Sequence, residues 1–324
     1  MKILIIHTAF IGDIVLTTPL LRKIKDIYPK SEVFYVTTPA GAEILKNNPN
    51  INKIIRYDKK GIDRGVKNFL KLSKKLKNEK FDLVLTPHRY FRSSLLTWLT
   101  RAPERIGYKN AVGSNLFTRK IPYDTTKHEV EKLLDFLPEK NKKRYEIEIY
   151  PEDNQVISEK KIITIAIGSK WFTKRWPIEY FNELIEKLLS YKNIEIILVG
   201  GKEEVNLNID LAQYCKDLRG KTSLLQLANI LKNSDIVVTN DSSPIHIASA
   251  FNKPHIIAIF GPTTKNLGFF PWSQNSEVIE VEKLECRPCS LHGGEKCPKG
   301  HFKCMLEIKP TFILEKILNY LNIN

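Results

Sequence analysis

The chain has 324 residues, 42% hydrophobic and 27% charged, a composition that builds a folded core and excludes a disordered or fibrous protein. Its length exceeds what one core usually serves, so two domains are expected. No apolar run approaches a membrane span, and Ile3 to Ile6 before His7 is too short for a signal-peptide core, so the expected location is the cytoplasm. The formal net charge is +15, and the segment from Lys59 to Arg105 holds 13 Lys and Arg against 4 Asp and Glu. Such a cluster attracts nucleic acid, an anionic lipid surface or an acidic substrate, unless it is only a set of solvated helix faces.

The first buried strand is KILII, residues 2–6, followed by the loop HTAFIGD and a helix with Leu20, Leu21, Ile24 and Ile27 along one face. Gly12 reads as the tight turn and Asp13 as a residue at or beside the helix cap. An acidic residue there repels phosphate, so Asp13 reads as a base facing a crevice, with a plain N-cap as the bland alternative. Alternation continues through strand Val33–Thr37, helix Ala40–Leu45, strand Ile54–Tyr57, helix Val66–Leu76, strand Leu83–Thr86 and helix Ser93–Thr100. This pattern is one doubly wound α/β domain. Arg89, Arg92, Arg101 and Arg105 fall around the end of the fourth strand, where ligands of open α/β sheets bind, and arginine is the better clamp for phosphate or carboxylate. A helix, His128–Leu137, and the charged run KNKKRYE lead into a second domain.

That domain opens with the strand IITIAI and the loop GSKWFTKRW. Gly168, Ser169, Lys170, Lys174 and Arg175 then stand at a strand end, just before a helix begun at Pro177, which suits a diphosphate. Strand Ile194–Val199 ends in Gly200 and Gly201, and Glu203 and Glu204 follow where ribose hydroxyls or an adenine amine could be held; surface glutamates would look the same. After helix Ser223–Lys232 comes DIVVTNDSSPIHIASAFNKPHIIAIFGP, a strand, a polar turn, a short helix and a strand. Asp241, Ser242 and Ser243 sit in that turn, with His246 about one turn into the helix. A carboxylate and free backbone N–H groups at one place suggest a polar ligand with hydroxyls and anionic groups. Taken singly, Asp241 reads equally as a cap, and His246, on a short helix between buried strands, reads more readily as a satisfied structural histidine than as a catalytic one. Near the end, Cys286, Cys289, Cys297 and Cys304 lie in a glycine- and proline-rich loop with His292 and His301. Their spacing leaves open a structural zinc, reduced packing thiols or a disulfide, and none of the four reads as catalytic.

Several stretches together resemble glycosyltransferase family nine, the ADP-heptose:lipopolysaccharide heptosyltransferases, and most closely the heptosyltransferase II type. They are GDIVLTTPLLRKIK, RYFRSSLLTWLTRAPERIGY, HEVEKLLDFL, GSKWFTKRWPIEYF, LVGGKEE, RGKTSLLQLANIL, TNDSSPIHIASAFNKPHIIAIFGPT and CRPCSLHGGEKCPKGHFKCM, in that order over nearly the whole chain. The resemblance implies a GT-B architecture of two Rossmann-like domains facing across a cleft. The expected domains are residues 1–155, binding the acceptor, and 156–310, binding the nucleotide sugar, with a helix over 311–324 packing back on the first. It further implies an inverting transfer of L-glycero-D-manno-heptose from ADP-heptose to the inner core of lipopolysaccharide. Asp13 would be the general base, Lys174 the diphosphate contact and Asp241 the holder of sugar hydroxyls. Ser169, Ser242, Ser243 and His246 would line the donor site, and Glu203 or Glu204 would meet the nucleoside. Arg89, Arg92, Arg101, Arg105 and His7 would meet an anionic acceptor, with no catalytic metal or cofactor required and peripheral contact with the anionic inner membrane surface. Where the family often has Arg, this chain has His7, and where it usually has Gly after the Asp-Ser of its second turn, this chain has Ser243. Two other readings stand beside this one: a glycosyltransferase using another nucleotide sugar, and a nucleic-acid binder, against which the lack of an aromatic stacking platform among the arginines weighs.

Overall fold

The computed structural model describes residues 1–139, 143–152 and 158–323. The expected boundary at 155/156 lies outside the described residues, as do residues 140–142 of the charged run and Asn324. The chain divides into two compact units, Met1–Tyr150 and Pro151–Asn324.

The first unit alternates β1 (Lys2–Ile6), α1 (Ile11–Leu16), α2 (Thr18–Ile27), β2 (Glu32–Thr37), α3 (Pro39–Ile44), β3 (Lys53–Arg56), α4 (Val66–Asn78), β4 (Leu83–Thr86), α5 (Phe91–Leu99), β5 (Glu104–Tyr108), β6 (Arg119–Ile121) and α6 (Glu129–Leu134). Its strands form one parallel sheet in the order β3-β2-β1-β4-β5-β6. The central strands are continuous apolar runs because helices cover both faces, and Ile3 to Ile6 have no exposed surface.

The single helix expected after β1 is two. Pro19 has no N–H, so a helix running through it would leave the Val15 carbonyl unpaired; the Thr18 hydroxyl donates to that carbonyl instead, at 2.8 Å. The tight turn assigned to Gly12 is also absent. Phe10 is the N-cap, in extended conformation, and Gly12 and Asp13 are the second and third residues of α1. Asp13 therefore acts on the helix dipole from the first turn rather than capping it.

The second unit comprises β7 (Lys161–Ala166), α7 (Ile178–Leu189), β8 (Ile194–Val199), β9 (Lys216–Asp217), α8 (Leu224–Asn233), β10 (Ile236–Asn240), α9 (Ser243–Ala248), β11 (His255–Phe260), β12 (Ser276–Glu280), α10 (Lys303–Leu306) and α11 (Pro310–Leu321). Its strands are again parallel, ordered β12-β11-β10-β7-β8-β9. Helix α11 belongs to this unit and not to the first: Ile313 and Ile317 are fully buried in one cluster with Phe181, Leu184, Ile185 and Leu188 of α7. The apolar stripe of α11 meets the stripe of α7, which the sequence shows as two amphipathic helices without showing that they pair.

Candidate active site

Each sheet reverses its strand order once, between β1 and β4 in the first unit and between β7 and β10 in the second. The crevice outside the carboxyl ends at such a point is where open α/β sheets bind ligands. Asp13 and His88 follow β1 and β4; Ser169, Lys174 and Asp241 follow β7 and β10. The chain thus places its chemistry-bearing residues at both switch points.

In the second unit Lys174 Nζ lies 2.6 Å from Asp241 Oδ2, with side-chain exposures of 13% and 7%. The Thr263 hydroxyl donates to the same oxygen at 2.6 Å. His246 is buried against this pair, and its Nδ1 has no hydrogen-bond partner. Burial lowers its pKa to about 4, the Asp241 charge opposing and the Lys174 charge adding, so the ring is neutral at physiological pH. It can offer a hydrogen bond but no positive charge to an anion. The turn holding Asp241 is built by Asn240, whose Oδ1 accepts from the Trp176 N–H at 2.9 Å and whose Nδ2 donates to the Ile167 carbonyl at 2.9 Å. This one buried amide ties the loop after β7 to the end of β10. Asn240→Ala leaves two buried backbone groups unpaired, at about 1–3 kcal/mol each. Urea unfolding should show a lower midpoint with an unchanged slope; a loss under about 0.5 kcal/mol would contradict that role.

Ser169 is buried, and its carbonyl accepts from Arg175 Nε at 2.7 Å. Ser242 is the N-cap of α9 but caps nothing with its side chain, its hydroxyl donating instead to the Asn240 carbonyl at 3.3 Å; Ser243 opens the helix and Pro244 follows. Of the two glutamates, Glu203 is exposed and Glu204 is half-buried against three glycines. A Cβ on Gly168 would stand 2.5 Å from Glu204 Oε1, so the carboxylate reaches the end of β7 only because that position is glycine.

Two contributors escape a sequence reading. Arg287 is wrapped by carbonyls of Val281, Gly261, Phe260 and Thr263 and paired with Glu280 at 2.7 Å. Through Thr263 it fixes the hydroxyl that holds Asp241. Thr173 exchanges hydrogen bonds with Gly294, its N–H and hydroxyl donating to the carbonyl and its hydroxyl accepting from the N–H at 2.8 Å. The cysteine loop thereby braces the segment bearing Lys174. All five cysteines are free thiols. Among the described residues no three His, Cys, Asp or Glu are grouped to hold a metal ion. The structural zinc set of Cys286, Cys289, Cys297 and Cys304 is therefore not assembled, Cys289 instead donating to the Cys286 carbonyl at 2.9 Å.

In the first unit a cavity of ≈ 220 Å³ is lined by Thr8, Lys59, His88, Tyr90, Arg92 and Ser93, among others. Lys59 Nζ donates to the Thr8 carbonyl at 2.7 Å, and its pKa is lowered by burial and then by Lys60 and Arg92, the mark of cations gathered without a matching anion. Burial also pushes His88 down to about 4 and His7 well below its ordinary value. His7 is enclosed, with Nδ1 2.7 Å from the Thr17 hydroxyl. A buried neutral ring does not supply the charge expected of an acceptor contact.

The four arginines do not form one cluster. Arg89 and Arg92 sit at the carboxyl edge, Arg89 over the Tyr123 ring at 4.1 Å and Arg92 over Tyr57 and Phe69 at 5.7 and 5.3 Å. Helix α5 then runs back about 13 Å along the sheet. Arg101 ends up stacked on Trp98 at 4.2 Å, and Arg105, in register with Val84, donates to the carbonyls of Ala102 and Leu116. Those two are structural residues at the amino edge. Asp13 stays with the carboxyl-edge pair: burial first, then Glu129, raises the Tyr123 phenol, and Arg89 and Asp13 both act on that ring, in opposite directions.

Residues 69–298 match the model of glycosyltransferase family 9 (heptosyltransferase). The lipooligosaccharide heptosyltransferase 2 of Campylobacter jejuni subsp. jejuni serotype O:2 is 27% identical, covering 99% of this chain and 98% of that one. The structure of E. coli ADP-heptose lps heptosyltransferase II superposes with a TM-score of 0.80 at 21% identity, covering 99% of both chains. E. coli heptosyltransferase WaaC with ADP-2-deoxy-2-fluoro heptose superposes with a TM-score of 0.76 at 19% identity over 98% of this chain and 99% of that one. The two-unit α/β architecture is that of these GT-B structures.

Proposed function

Because the chain belongs to glycosyltransferase family 9, the heptosyltransferases, we propose that it transfers L-glycero-D-manno-heptose from ADP-heptose to the inner core of lipopolysaccharide, with inversion at the anomeric carbon. The observation that carries this reading is the buried Lys174–Asp241 pair at the switch point of the second sheet. A buried ion pair contributes little to stability, since desolvation offsets its attraction. The pair makes sense as two groups that neutralise each other until a donor replaces each partner. The diphosphate takes the lysine, and the hydroxyls of the sugar take the aspartate. His246 supplies a neutral hydrogen bond beside them, Ser169 lines the site from the loop after β7 and Ser242 and Ser243 from the turn after β10, and Glu204 rather than Glu203 meets the ribose or adenine. Related proteins support the donor: WaaC was solved with an ADP-heptose analogue.

Asp13 is the proposed general base, taking the proton of the acceptor hydroxyl as it attacks the anomeric carbon. Lys174 stabilises the charge gathering on departing ADP, the kind of electrostatic effect that is often the largest in catalysis. The cations Lys59, Arg89 and Arg92 recognise acidic groups of the acceptor. Arg92→Ala should raise KM for the acceptor roughly tenfold, the loss of one charge-assisted hydrogen bond. Arg101→Ala should change it less than about twofold, because Arg101 lies at the far end of α5. Equal effects of the two would disprove this division of the arginines.

No helix among the described residues is long and apolar enough to cross a membrane. A lipid-borne acceptor would bring the protein to a membrane surface, and the proposed place is peripheral contact at the cytoplasmic face, where an anionic leaflet meets the basic first unit. Choice of nucleotide tests the donor: ADP should raise the melting temperature by mass action while UDP and GDP leave it unchanged. Stabilisation by UDP or GDP instead would point to a different nucleotide sugar.

A further inference from the structure

The surface of the first unit carries a feature that transfer chemistry does not use. Ile62, Val66 and Leu70 are 77%, 72% and 54% exposed. Ile62 lies in the turn before α4, tied to its first turn because Asn68 Nδ2 donates to the Ile62 and Arg64 carbonyls at 3.1 and 3.2 Å. Val66 and Leu70, four apart, share one helix face, next to the edge of the buried face made by Phe69, Leu72, Ser73 and Leu76. Beyond this apolar stripe the helix shows Lys67, Lys71, Lys74 and Lys75, all exposed, and Lys77, also exposed, continues the line of Val66 and Leu70 toward the carboxyl end.

Charge tells what could cover this face. From Lys59 to Lys80 there are nine Lys and Arg and two acids, Asp63 and Glu79. Glu79 is taken by Lys2 and Lys53, and Asp63 Oδ2 accepts from the Asp58 N–H. Among the described residues no ion pair reaches the five lysines of α4. A second copy of the chain would set this charge against itself, and a polynucleotide would leave the apolar stripe in water. A helix with an apolar stripe beside a lysine face matches the headgroup boundary of an anionic bilayer, where lysines meet phosphates and apolar side chains enter the acyl region. The face also stands at the right edge. Crossover helix α4 begins at the carboxyl end of β3, and Arg92 of the candidate acceptor cavity lies over Phe69 of α4 at 5.3 Å.

We propose that the turn at Ile62 and the amino-terminal half of α4 form a membrane-docking face that inserts Ile62, Val66 and Leu70 into an anionic bilayer, its lysines on the lipid phosphates. This deepens the peripheral contact proposed above and gives it an address beside the acceptor cavity, so that the carbohydrate of a bilayer-anchored acceptor emerges next to Lys59 and Arg92.

The test is co-sedimentation of the full chain with vesicles of phosphatidylcholine alone and of phosphatidylcholine mixed with phosphatidylglycerol, at low and high salt. Binding is expected to the mixed vesicles only and to fall as salt rises. The variant Lys67→Gln/Lys71→Gln/Lys74→Gln should bind on the order of 100-fold more weakly, and Ile62→Ser/Val66→Ser/Leu70→Ser at least about tenfold more weakly. Both should keep the stabilisation by ADP and the transfer rate on a delipidated, soluble acceptor, which shows that they fold and reads the activity separately from docking. Equal binding to both vesicle types, or vesicle binding unaltered in both variants, overturns the proposal. So does a dimer in sedimentation velocity that the serine variant abolishes, or salt-sensitive binding to DNA with none to vesicles. A wild-type protein inactive on the soluble acceptor would sink the transfer reading while leaving docking intact.

Discussion

Asp13→Asn should lower kcat for sugar transfer by roughly 10²- to 10⁴-fold, the usual contribution of general-base catalysis, while leaving ADP affinity unchanged. The substitution keeps the size of the side chain and its place in the first turn of α1, where Phe10 and not Asp13 is the cap. Structure should therefore survive, and only the ability to accept a proton is lost. A purely structural role on the helix dipole predicts a different outcome, a small loss of stability with near-normal turnover. Single-turnover kinetics with saturating donor separates the two, since chemistry is then observed apart from product release. Near-normal rates would remove Asp13 from the proposed role.

Lys174→Ala should cost about 10²- to 10³-fold in kcat, as removal of one preorganised group facing developing charge does, and should weaken ADP binding as well. The second effect follows from where the lysine stands. Its ammonium is 2.6 Å from Asp241 and mostly enclosed, so its removal also leaves a buried carboxylate without its cation. Asp241 would then repel the diphosphate it formerly shared a counter-ion with. Asp241→Asn should behave differently: it frees Lys174 for the diphosphate, so ADP alone should bind as well or better, while donor turnover falls because the sugar loses its acceptor of hydroxyl protons. Isothermal titration with ADP reads the contrast directly, and equal weakening by both variants would contradict an exchange of partners.

Much of this architecture is written in the sequence. The central strands are runs of Ile, Leu and Val bounded by turn residues, and Leu83–Thr86 is found at the positions its pattern predicts. The edge strands are less legible: β5 reads ERIGY, with two charged residues and a glycine, and β6 has only three residues. Their pairing is set by neighbours and not by an apolar period. Lys174 and Asp241 can be found because strand-end loops of an α/β sheet are where ligands bind. Arg287 cannot, because it acts through the carbonyls of Phe260, Gly261 and Thr263, more than twenty residues earlier in the chain. Arg101 and Arg105 stand near Arg89 in sequence, yet a nine-residue helix carries them to the other end of the sheet. The pairing of α11 with α7 is similarly a tertiary choice between two amphipathic faces that the pattern leaves equivalent.

The most direct measurement is incubation of the purified protein with ADP-heptose and a lipopolysaccharide truncated in its inner core, read by mass spectrometry of the acceptor. The expected product carries one added heptose, is formed with release of one ADP, and is lost in Asp13→Asn. An acceptor of unchanged mass, in a sample whose melting temperature ADP still raises, would show that the nucleotide site serves another reaction.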